Sequence, residues 1–346
     1  MAKRDIIVIG ASAGGVYALK ALAASLPADF KAAIFVVLHV SPSSPSFLPD
    51  ILNHAGLLKA SHPQDGELIR QGHIYVASPD HHLLVEDDKV VVKKGPKENR
   101  FRPSIDALFR SVAYSYGPRV IGVVLTGLLD DGTSGMWSVK RLGGLGVVQE
   151  PEDAMYASMP DSVLQYVDVD YQVPITDLAS LLCQLIEETV PDKVHLADKE
   201  RVRIETEVSI AAQANAFELG VLGIGHLTAL TCPECSGALI SIQEGKLTRY
   251  RCHTGHAYTA NSLLVDVTKT VEESLWKSVR SLEEMVILLE QSARKYAESN
   301  DERASEQFYE KARETRERAA TTRELIFKQE RLSHDIATTK DQLTIP

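Results

Sequence analysis

Short apolar strands alternate with helical patterns over about the first 190 residues, and this alternation restricts the possible folds more than any other feature of the sequence. Buried strand patterns cover residues 5–10, 32–39, 120–125 and 145–148. Helical patterns follow these strands, two of them over residues 133–142 and 161–166. The alternation predicts an α/β fold with a mostly parallel, doubly wound (Rossmann-like) sheet that helices cover on both faces.

Residues 64–93 break the strand–helix alternation. Short strand candidates, separated by Gly, Pro and Asp, lie at Ile69, 73–77, 83–85 and 90–92. They predict a small antiparallel insertion within the α/β domain. A helix is expected to follow, with Ser104 as its N-cap and Asp106 in its first turn.

The remaining sequence predicts three further segments after an α/β domain over residues 1–190. Residues 191–230 are polar and irregular, which favours a linker. A cysteine-rich module, called the cysteine module below, spans residues 231–260, and two apolar stripes with a turn at residues 299–301 predict an α-helical hairpin over residues 261–335. For the hairpin we favour covering of the module or self-association into a homo-oligomer over docking of a helical partner.

The charge and composition of the chain argue against nucleic acid as a partner and against a membrane-spanning helix. The net charge is −10, and no run of Lys or Arg offsets it, so nucleic acid is not an expected partner. No stretch approaches the roughly 20 apolar residues of a membrane-spanning helix. The N-terminal residues lack the apolar core of a secretory signal, so a cytoplasmic location is expected.

A glycine-rich turn over residues 10–15 places Ser12 between the first strand and the first helix. This is the carboxyl end of a parallel strand, where α/β sheets bind ligands. Glycines allow close approach of backbone amides, and the helix N-terminus is suited to stabilising an oxyanion. The turn also has the G-x-S-x-G spelling of a nucleophile elbow. A phosphate-binding or purely structural turn is the alternative, although the dinucleotide motif needs glycine where Ser12 stands.

Two further strand ends carry residues that complete a hydrolytic site. A serine needs a base, and His39 ends the second strand, at the same sheet edge as Ser12 if the two strands are neighbours. Asp131 follows the strand at 120–125 and is suited to orienting an imidazole. The alternatives are an ordinary core or surface histidine and an ordinary helix-start aspartate. Spacing alone does not show that the three residues meet.

Residues 4 to about 190 resemble the catalytic domain of the chemotaxis protein-glutamate methylesterases. The resemblance is collinear and rests on residues 10–15, the segment around His39, and residues 72–77, 102–109, 125–132 and 158–160. It implies that Ser12 is the nucleophile, His39 the base and then the acid, and Asp131 the residue that orients His39.

The activity implied by the resemblance is hydrolysis of glutamate methyl esters, through an acyl-enzyme, on a methylated chemoreceptor-like helical protein. Glutamine deamidation is a second reaction linked to this family, and neither reaction needs a cofactor. Backbone amides near Ser12 and at residues 128–129 are the oxyanion-hole candidates. Two alternatives are a non-catalytic signalling adaptor that retains the methylesterase fold and a small-molecule esterase.

Three departures from the family pattern affect these expectations. The best-known members carry a receiver domain before the catalytic domain, whereas this sequence begins at the first catalytic strand, so that mode of control is expected to be absent in cis. Ala13 stands where a threonine is familiar. Asp130 adds a second carboxylate in a loop where Met-Gly-Asn is more familiar, and Asp131 is favoured because it precedes Gly132.

The cysteine module has the ligand spacing of a zinc ribbon. Cys232 and Cys235 form a C-x-x-C turn, Cys252 and His256 complete a set of four, and His253 is the alternative fourth ligand. Four protein ligands predict a structural zinc ion. A reduced thiol cluster or a redox pair is the alternative. Cys183 stands apart in an apolar stretch and is interpreted as a small buried side chain.

Overall fold

The computed structural model describes residues 2–213 and 215–342, with side chains up to residue 328. Two units make up the chain, Met1–Leu263 and Leu264–Pro346, called the first and second units below. The domain boundaries expected from the sequence, at residues 190, 230 and 260, stay predictions.

A parallel sheet of seven strands, among the described residues, forms the centre of the first unit, in the order β3-β4-β2-β1-β7-β8-β9. The strands of this part of the chain are β1 (Ile6–Ala11), β2 (Ala33–Leu38), β3 (Lys59–Ser61), β4 (His73–Val76), β5 (His82–Glu86), β6 (Lys89–Lys93), β7 (Val120–Val124), β8 (Leu145–Gln149) and β9 (Tyr171–Val173). Since β1 lies between β2 and β7, the chain segments that follow these three strands leave the sheet at adjacent points of one edge.

Helices cover both faces of the sheet, as the strand–helix alternation predicted. They are α1 (Gly15–Ser25), α2 (Leu48–Ala55), α3 (Ile105–Tyr116), α4 (Thr133–Arg141), α5 (Ser158–Tyr166), α6 (Ile175–Leu185) and α7 (Asp198–Gln213). One buried core layer contains Leu22 of α1 and Leu182 of α6, and the other contains Leu108 of α3 and Met136 of α4. Two apolar layers on opposite faces make the sheet doubly wound.

The expected antiparallel insertion is smaller than the sequence suggested. β5 and β6 form the antiparallel pair, which confirms that part of the prediction. Residues 73–77 were assigned wrongly, because β4 is a parallel strand of the main sheet between β2 and β3. All four residues of β4 are buried, which is typical of a central strand. Ile69 lies outside the strands, and its amide donates to the Asp88 carbonyl over 3.0 Å.

Helix α7 occupies part of the segment interpreted as an irregular linker, so that interpretation is wrong for residues 198–213. The helix is mostly polar, and its narrow buried face consists of Ile204, Glu207, Ile210 and Ala211. One of these four residues is a carboxylate, so the apolar periodicity that identifies a helix is interrupted.

Four antiparallel strands follow in the order β10-β11-β12-β13. They are β10 (His226–Thr231), β11 (Ala238–Glu244), β12 (Leu247–Cys252) and β13 (Ala257–Thr259). Buried ion pairs connect this sheet to the α/β layers, with Arg251 2.6 Å from Glu98 and Arg249 2.6 Å from Glu207. The small sheet is therefore compatible with the predicted zinc-ribbon-like module and is firmly attached to the rest of the first unit.

Two long helices, α8 (Ala260–Glu298) and α9 (Glu302–Gln342), account for the second unit. Tyr296 stacks on Phe308 at 5.2 Å between ring centroids, and Arg316 pairs with Glu290. These contacts across the short turn confirm an antiparallel hairpin. No helix in the described part of the chain is long and apolar enough to cross a membrane. Self-association through these helices stays a prediction.

Candidate functional site

Ser12 lies in the tight turn between β1 and α1. Its amide donates to the Thr126 carbonyl at 3.0 Å, which ties the turn to the end of β7. Gly14 caps α1 with a positive φ of 77°, and a Cβ there would meet the Met155 side chain at 3.0 Å. Only glycine therefore combines this left-handed backbone with so close a neighbour. The turn presents Ser12 at the carboxyl edge of the sheet, as the sequence predicted.

His39 follows β2 and lies between Ser12 and Asp131. Its Nδ1 is 3.2 Å from Ser12 Oγ, and its Nε2 is 2.9 Å from Asp131 Oδ2. The ring stacks on Phe101, with centroids 3.6 Å apart and planes 7° apart. In the neutral tautomer that this geometry favours, Nε2–H donates to the carboxylate and Nδ1 accepts the serine proton. The structure thus brings together the three residues that the sequence selected.

Asp131 is 1% exposed and is held by hydrogen bonds to both of its oxygens. Its Oδ2 accepts from the Ile105 amide at 2.8 Å in addition to His39. Its Oδ1 accepts from Asn99 Nδ2, Ser104 Oγ and the amides of Asp106 and Gly132, at 2.9 to 3.1 Å. Several of these donors belong to the first turn of α3, whose positive end favours an anion.

Ser104 occupies the predicted N-cap position of α3, but its hydroxyl makes no capping bond. The hydroxyl donates to Asp131 instead, at 3.1 Å. The predicted position of Ser104 is therefore confirmed, and its expected capping role is wrong because a stronger, charged acceptor lies within reach.

The charges of the two adjacent buried carboxyls differ. Burial raises the pKa of Asp131, but the hydrogen bond and charge of His39, with bonds from Asn99 and Ile105, outweigh burial and lower it. Burial and the charge of Asp131 raise the pKa of Asp106 well above its usual range. Asp131 is therefore the ionised member of the pair and the one suited to stabilising an imidazolium.

The loop at residues 128–132, called the Asp131 loop below, resolves which aspartate faces the histidine. Asp130 lies on the other side, where its Oδ1 accepts from Thr259 Oγ1 at 2.8 Å.

Thr126 is a site residue that the sequence did not reveal, and its hydroxyl donates to the Ala13 carbonyl and accepts from the Tyr156 amide. Asn99 and Phe101 were missed as well, because they come from a loop whose sequence gives no periodic signal.

A second cluster contains the four predicted metal ligands, Cys232, Cys235, Cys252 and His256. Their ligand atoms all lie within 4.8 Å of one another. The Cys235–Cys252 Sγ separation is 3.6 Å, and the distances from His256 Nδ1 to the sulfurs of Cys232 and Cys252 are 3.8 and 3.6 Å. Zinc–ligand bonds of about 2.0 to 2.3 Å at tetrahedral angles give ligand separations of about 3.5 to 3.8 Å. The four residues, called the cysteine cluster below, therefore fit a zinc ion, and His253 lies outside the set.

Two tight turns build the cysteine cluster. The Ser236 amide donates to the Cys232 carbonyl at 2.8 Å, and the Gly255 amide donates to the Cys252 carbonyl at 2.9 Å. The Thr254 hydroxyl lies 3.0 Å from the Cys252 sulfur. Hydrogen bonding from Cys232, with contributions from His256 and Thr254, lowers the pKa of Cys252 despite its burial, whereas hydrogen bonding to Cys252 and burial raise the pKa of Cys232. Cys252 is therefore the thiolate of this hydrogen-bonded pair, and the thiolate is the form that binds a metal.

The comparison with protein families identifies the α/β part of the chain. The family described as CheB methylesterase matches residues 7–182, about half of the chain. The chain belongs to the CheB methylesterase family. The match ends before α7 and the cysteine cluster.

Similar proteins agree with the family match. A protein of Leptospira interrogans named putative protein-glutamate methylesterase/protein-glutamine glutaminase is 39% identical over 182 residues, which cover 52% of this chain and 94% of that protein. A Methanosarcina mazei protein-glutamate methylesterase/protein-glutamine glutaminase 2 is 33% identical over 191 residues, which cover 53% of this chain and 52% of that protein. This chain therefore spans about half the length of the Methanosarcina relative and nearly all of the Leptospira one.

A solved structure supports the same fold. The catalytic domain of the Thermotoga maritima CheB methylesterase is 33% identical, and the superposition covers 54% of this chain and all of that domain with a TM-score of 0.51. The Rossmann-like fold predicted from the sequence is thereby confirmed for the CheB part.

Proposed function

We propose that this protein is a protein-glutamate methylesterase, a serine hydrolase of chemotaxis or related signal transduction, with Ser12, His39 and Asp131 as its catalytic triad. One observation carries the proposal. The three side chains form a continuous hydrogen-bonded chain, 3.2 Å from Ser12 to His39 and 2.9 Å from His39 to Asp131, within the part of the chain that matches the family.

The geometry supports an acyl-enzyme route. Ser12 Oγ attacks the ester carbonyl of a methylated glutamate while His39 Nδ1 takes the hydroxyl proton. Asp131 stabilises the imidazolium through Nε2–H, and Nδ1–H then protonates the departing methoxide to give methanol. Water activated by the same nitrogen hydrolyses the acyl-enzyme, which releases the glutamate carboxylate and restores Ser12. Deamidation of a glutamine follows the same steps with ammonia as the leaving group.

Oxyanion stabilisation is assigned to amides at the start of α1. Among the described residues, no acceptor is bonded to the amide of Ala13 or of Gly14, the two residues that follow the nucleophile at the N-terminus of α1. The amides of Leu128 and Leu129 remain further candidates. Leu129 has a positive φ of 65°, an uncommon backbone conformation for leucine.

The surroundings of Ser12 favour a protein substrate over a small ester. Leu128, Met155 and Tyr156 expose 43, 59 and 41% of their surfaces. Met155 lies against the turn at Gly14, and Leu128 follows Gly127, whose added Cβ would lie 2.8 Å from Ser12 Cβ. Exposed apolar side chains in one place are typical of a protein-binding surface. We therefore propose a methylated chemoreceptor-like helical protein as the substrate.

Neither ester hydrolysis nor deamidation needs a cofactor, and we propose a structural zinc ion at the cysteine cluster. All four ligands come from the protein, so no coordination position is left for a substrate. A cytoplasmic location is part of the proposal, because the four cysteines are free thiols and three of them share one ligand set.

Methanol release from a methylated receptor tests the proposal. The wild-type protein should release methanol stoichiometrically with receptor demethylation, and Ser12→Ala should reduce the rate by at least about 10³-fold. Ser25→Ala, which changes an exposed serine of α1, is the matched control and should leave the rate unchanged. A wild-type protein that binds the receptor without releasing methanol would favour the adaptor. Activity on p-nitrophenyl esters alone would favour a small-molecule esterase.

A further inference from the structure

The cysteine module lies directly against the loops that hold the catalytic aspartate. The Asn99 amide donates to the Ala257 carbonyl at 2.8 Å, and the Ala257 amide donates to the Lys97 carbonyl at 3.1 Å. β13 is therefore bonded to the segment that carries Asn99. Ala257 is also the next residue after His256, one of the four residues of the cysteine cluster.

The Asn99 side chain connects β13 to the catalytic carboxylate. Its Nδ2 donates to Asp131 at 2.9 Å and to Asp106 at 2.7 Å. Its Oδ1 accepts from the Thr259 amide at 2.9 Å and from the Ser262 hydroxyl at 3.3 Å. All four hydrogen-bonding positions of the amide are thus occupied, two on each side. Asn99 is 3% exposed, so no water replaces a lost partner easily.

A second connection runs from β13 to the residue next to Asp131. The Thr259 hydroxyl donates to Asp130 at 2.8 Å, and the Ser262 hydroxyl lies 2.9 Å from the same Thr259 oxygen. Asp130 and Thr259 are 2 and 1% exposed. The Asp131 loop is therefore held from β13 at two adjacent residues.

The cysteine cluster adjoins β13, because His256 directly precedes Ala257, the first residue of that strand. The apolar core beside the cluster consists of Cys232, Leu239, Cys252, Tyr258 and Leu263, and two of these five residues are ligands. So small a core does not by itself fix a turn, whereas a bound metal does. The buried ion pairs of Arg249 and Arg251 hold β12, which pairs with β13, and Arg251 also donates to the Gly255 carbonyl at 2.8 Å. A zinc ion adds to these contacts by fixing the Cys232–Cys235 turn and His256.

We propose that a zinc ion bound at the cysteine cluster positions Asp131 for catalysis, through β13 and the side chain of Asn99. The inference rests on the proposed methylesterase function. In it the metal is a structural part of the esterase site, Asn99 and Thr259 are positioning residues, and neither residue touches the substrate.

The first experiment compares full-length protein before and after zinc removal with a chelator. We expect about one zinc ion per chain, and we expect its removal to lower kcat on a methylated receptor by about 10- to 100-fold. Amide hydrogen exchange supplies a readout that needs no activity, because the Ile105, Asp106 and Gly132 amides all donate to Asp131. Their exchange should accelerate when zinc is removed and return to its former rate when zinc is restored.

Two cysteine variants form a matched pair. Cys235→Ser removes the exposed ligand and should reproduce the effects of zinc removal on exchange and kcat. Cys183→Ser, which alters the cysteine outside the cluster, should match the wild type. If Cys235→Ser fails to fold, the chelation experiment still decides. The exchange measurement repeated in Ser12→Ala separates the two proposals, since this inactive variant should keep the full response of exchange to zinc.

Asn99→Ala distinguishes positioning from general stability. This variant should bind zinc like the wild type and have a reduced kcat, and zinc removal should then lower kcat by less than about 10-fold more, because only the Thr259–Asp130 bond still connects β13 to the Asp131 loop. A protein that binds no zinc, or that retains its kcat and its exchange rates at the three amides after zinc removal, would overturn the inference. An Asn99→Ala protein that still loses 10-fold or more in kcat on zinc removal would also overturn it.

Discussion

The carboxyl edge of the parallel sheet and the cysteine module both bring distant residues together, but by different physical means. At the sheet edge, the pairing of β1 with β2 and β7 fixes Ser12, His39 and Asp131, and two large apolar layers support it. In the module, the apolar core beside the ligands is small and includes two of them, while Ile240 and Ile242 of β11 pack in a separate cluster with Ile210. The pairing of the strands therefore fixes the positions of the three residues at the sheet edge, whereas the module needs a bound metal ion to become rigid.

The largest expected effect is at the sheet edge, where strand pairing fixes the residues of the site. Asp131→Asn should lower kcat by about 10⁴-fold, because an amide facing His39 Nε2 favours the wrong tautomer. Steady-state kinetics on a methylated receptor measures the loss. Asp130→Asn is the matched control, since Asp130 bonds to Thr259 and not to His39. This variant should lower kcat by no more than about 10-fold. A larger loss in Asp130→Asn than in Asp131→Asn would contradict the assignment.

Acid should weaken the metal-independent attachment of the module. Burial raises the pKa of Glu98, but Arg110 and Arg251 outweigh it and lower the pKa to about 2, from an ordinary value of 4.5. A lowered folded-state pKa gives stability that is present above pH 4.5 and is lost as pH falls toward 2. The free energy of unfolding should fall by about 3 kcal/mol between pH 5 and pH 2 from this group.

Chemical denaturation at several pH values measures this dependence on acid. Glu98→Gln should be less stable at pH 5 and should have a shallower pH slope in the same interval. An unchanged slope would mean that Glu98 is not ionised in the folded protein.

Zinc removal should act unequally on the two regions. Amides of β13 and of the two ligand turns at residues 232–236 and 252–256 should lose about 100-fold or more of their protection from hydrogen exchange, since structural zinc binding contributes several kcal/mol to folding. Amides of β1, β2 and β7 should keep their protection. Mass spectrometry of exchanged peptides separates these segments. An equal loss of protection in the module and in β1, β2 and β7 would contradict the idea that only the module depends on a bound metal ion.

The smallest expected effect concerns the ring that covers His39. Phe101→Ala removes the stacked aromatic side chain and should lower kcat/KM by about 3- to 10-fold, since an aromatic contact contributes about 0.5 to 1.5 kcal/mol. Phe101→Tyr keeps the ring and should stay within 2-fold of the wild type. If both variants lose activity equally, stacking is not what holds the imidazole.

The sequence predicted the parts of the site that depend on the succession of strands and helices along the chain. Strand–helix alternation placed Ser12 and His39 at one edge, because parallel neighbours end on the same side of a sheet. It did not predict Asn99 or Phe101, which reach the site from a loop through contacts that have no local pattern. β4 was mistaken for part of the insertion because a short apolar run does not specify its partner strand. The cysteine cluster was predictable because ligand spacing is a local property.

The hydrogen bonds from the first turn of α3 to Asp131 give this aspartate a second role, in the fold itself. Asp131 accepts the Ile105 and Asp106 amides, so the aspartate serves as the cap of a helix that begins 26 residues earlier in the chain. Selection for folding alone would therefore preserve this aspartate. A surviving aspartate does not by itself distinguish an enzyme from a scaffold, whereas loss of Ser12 or His39 does.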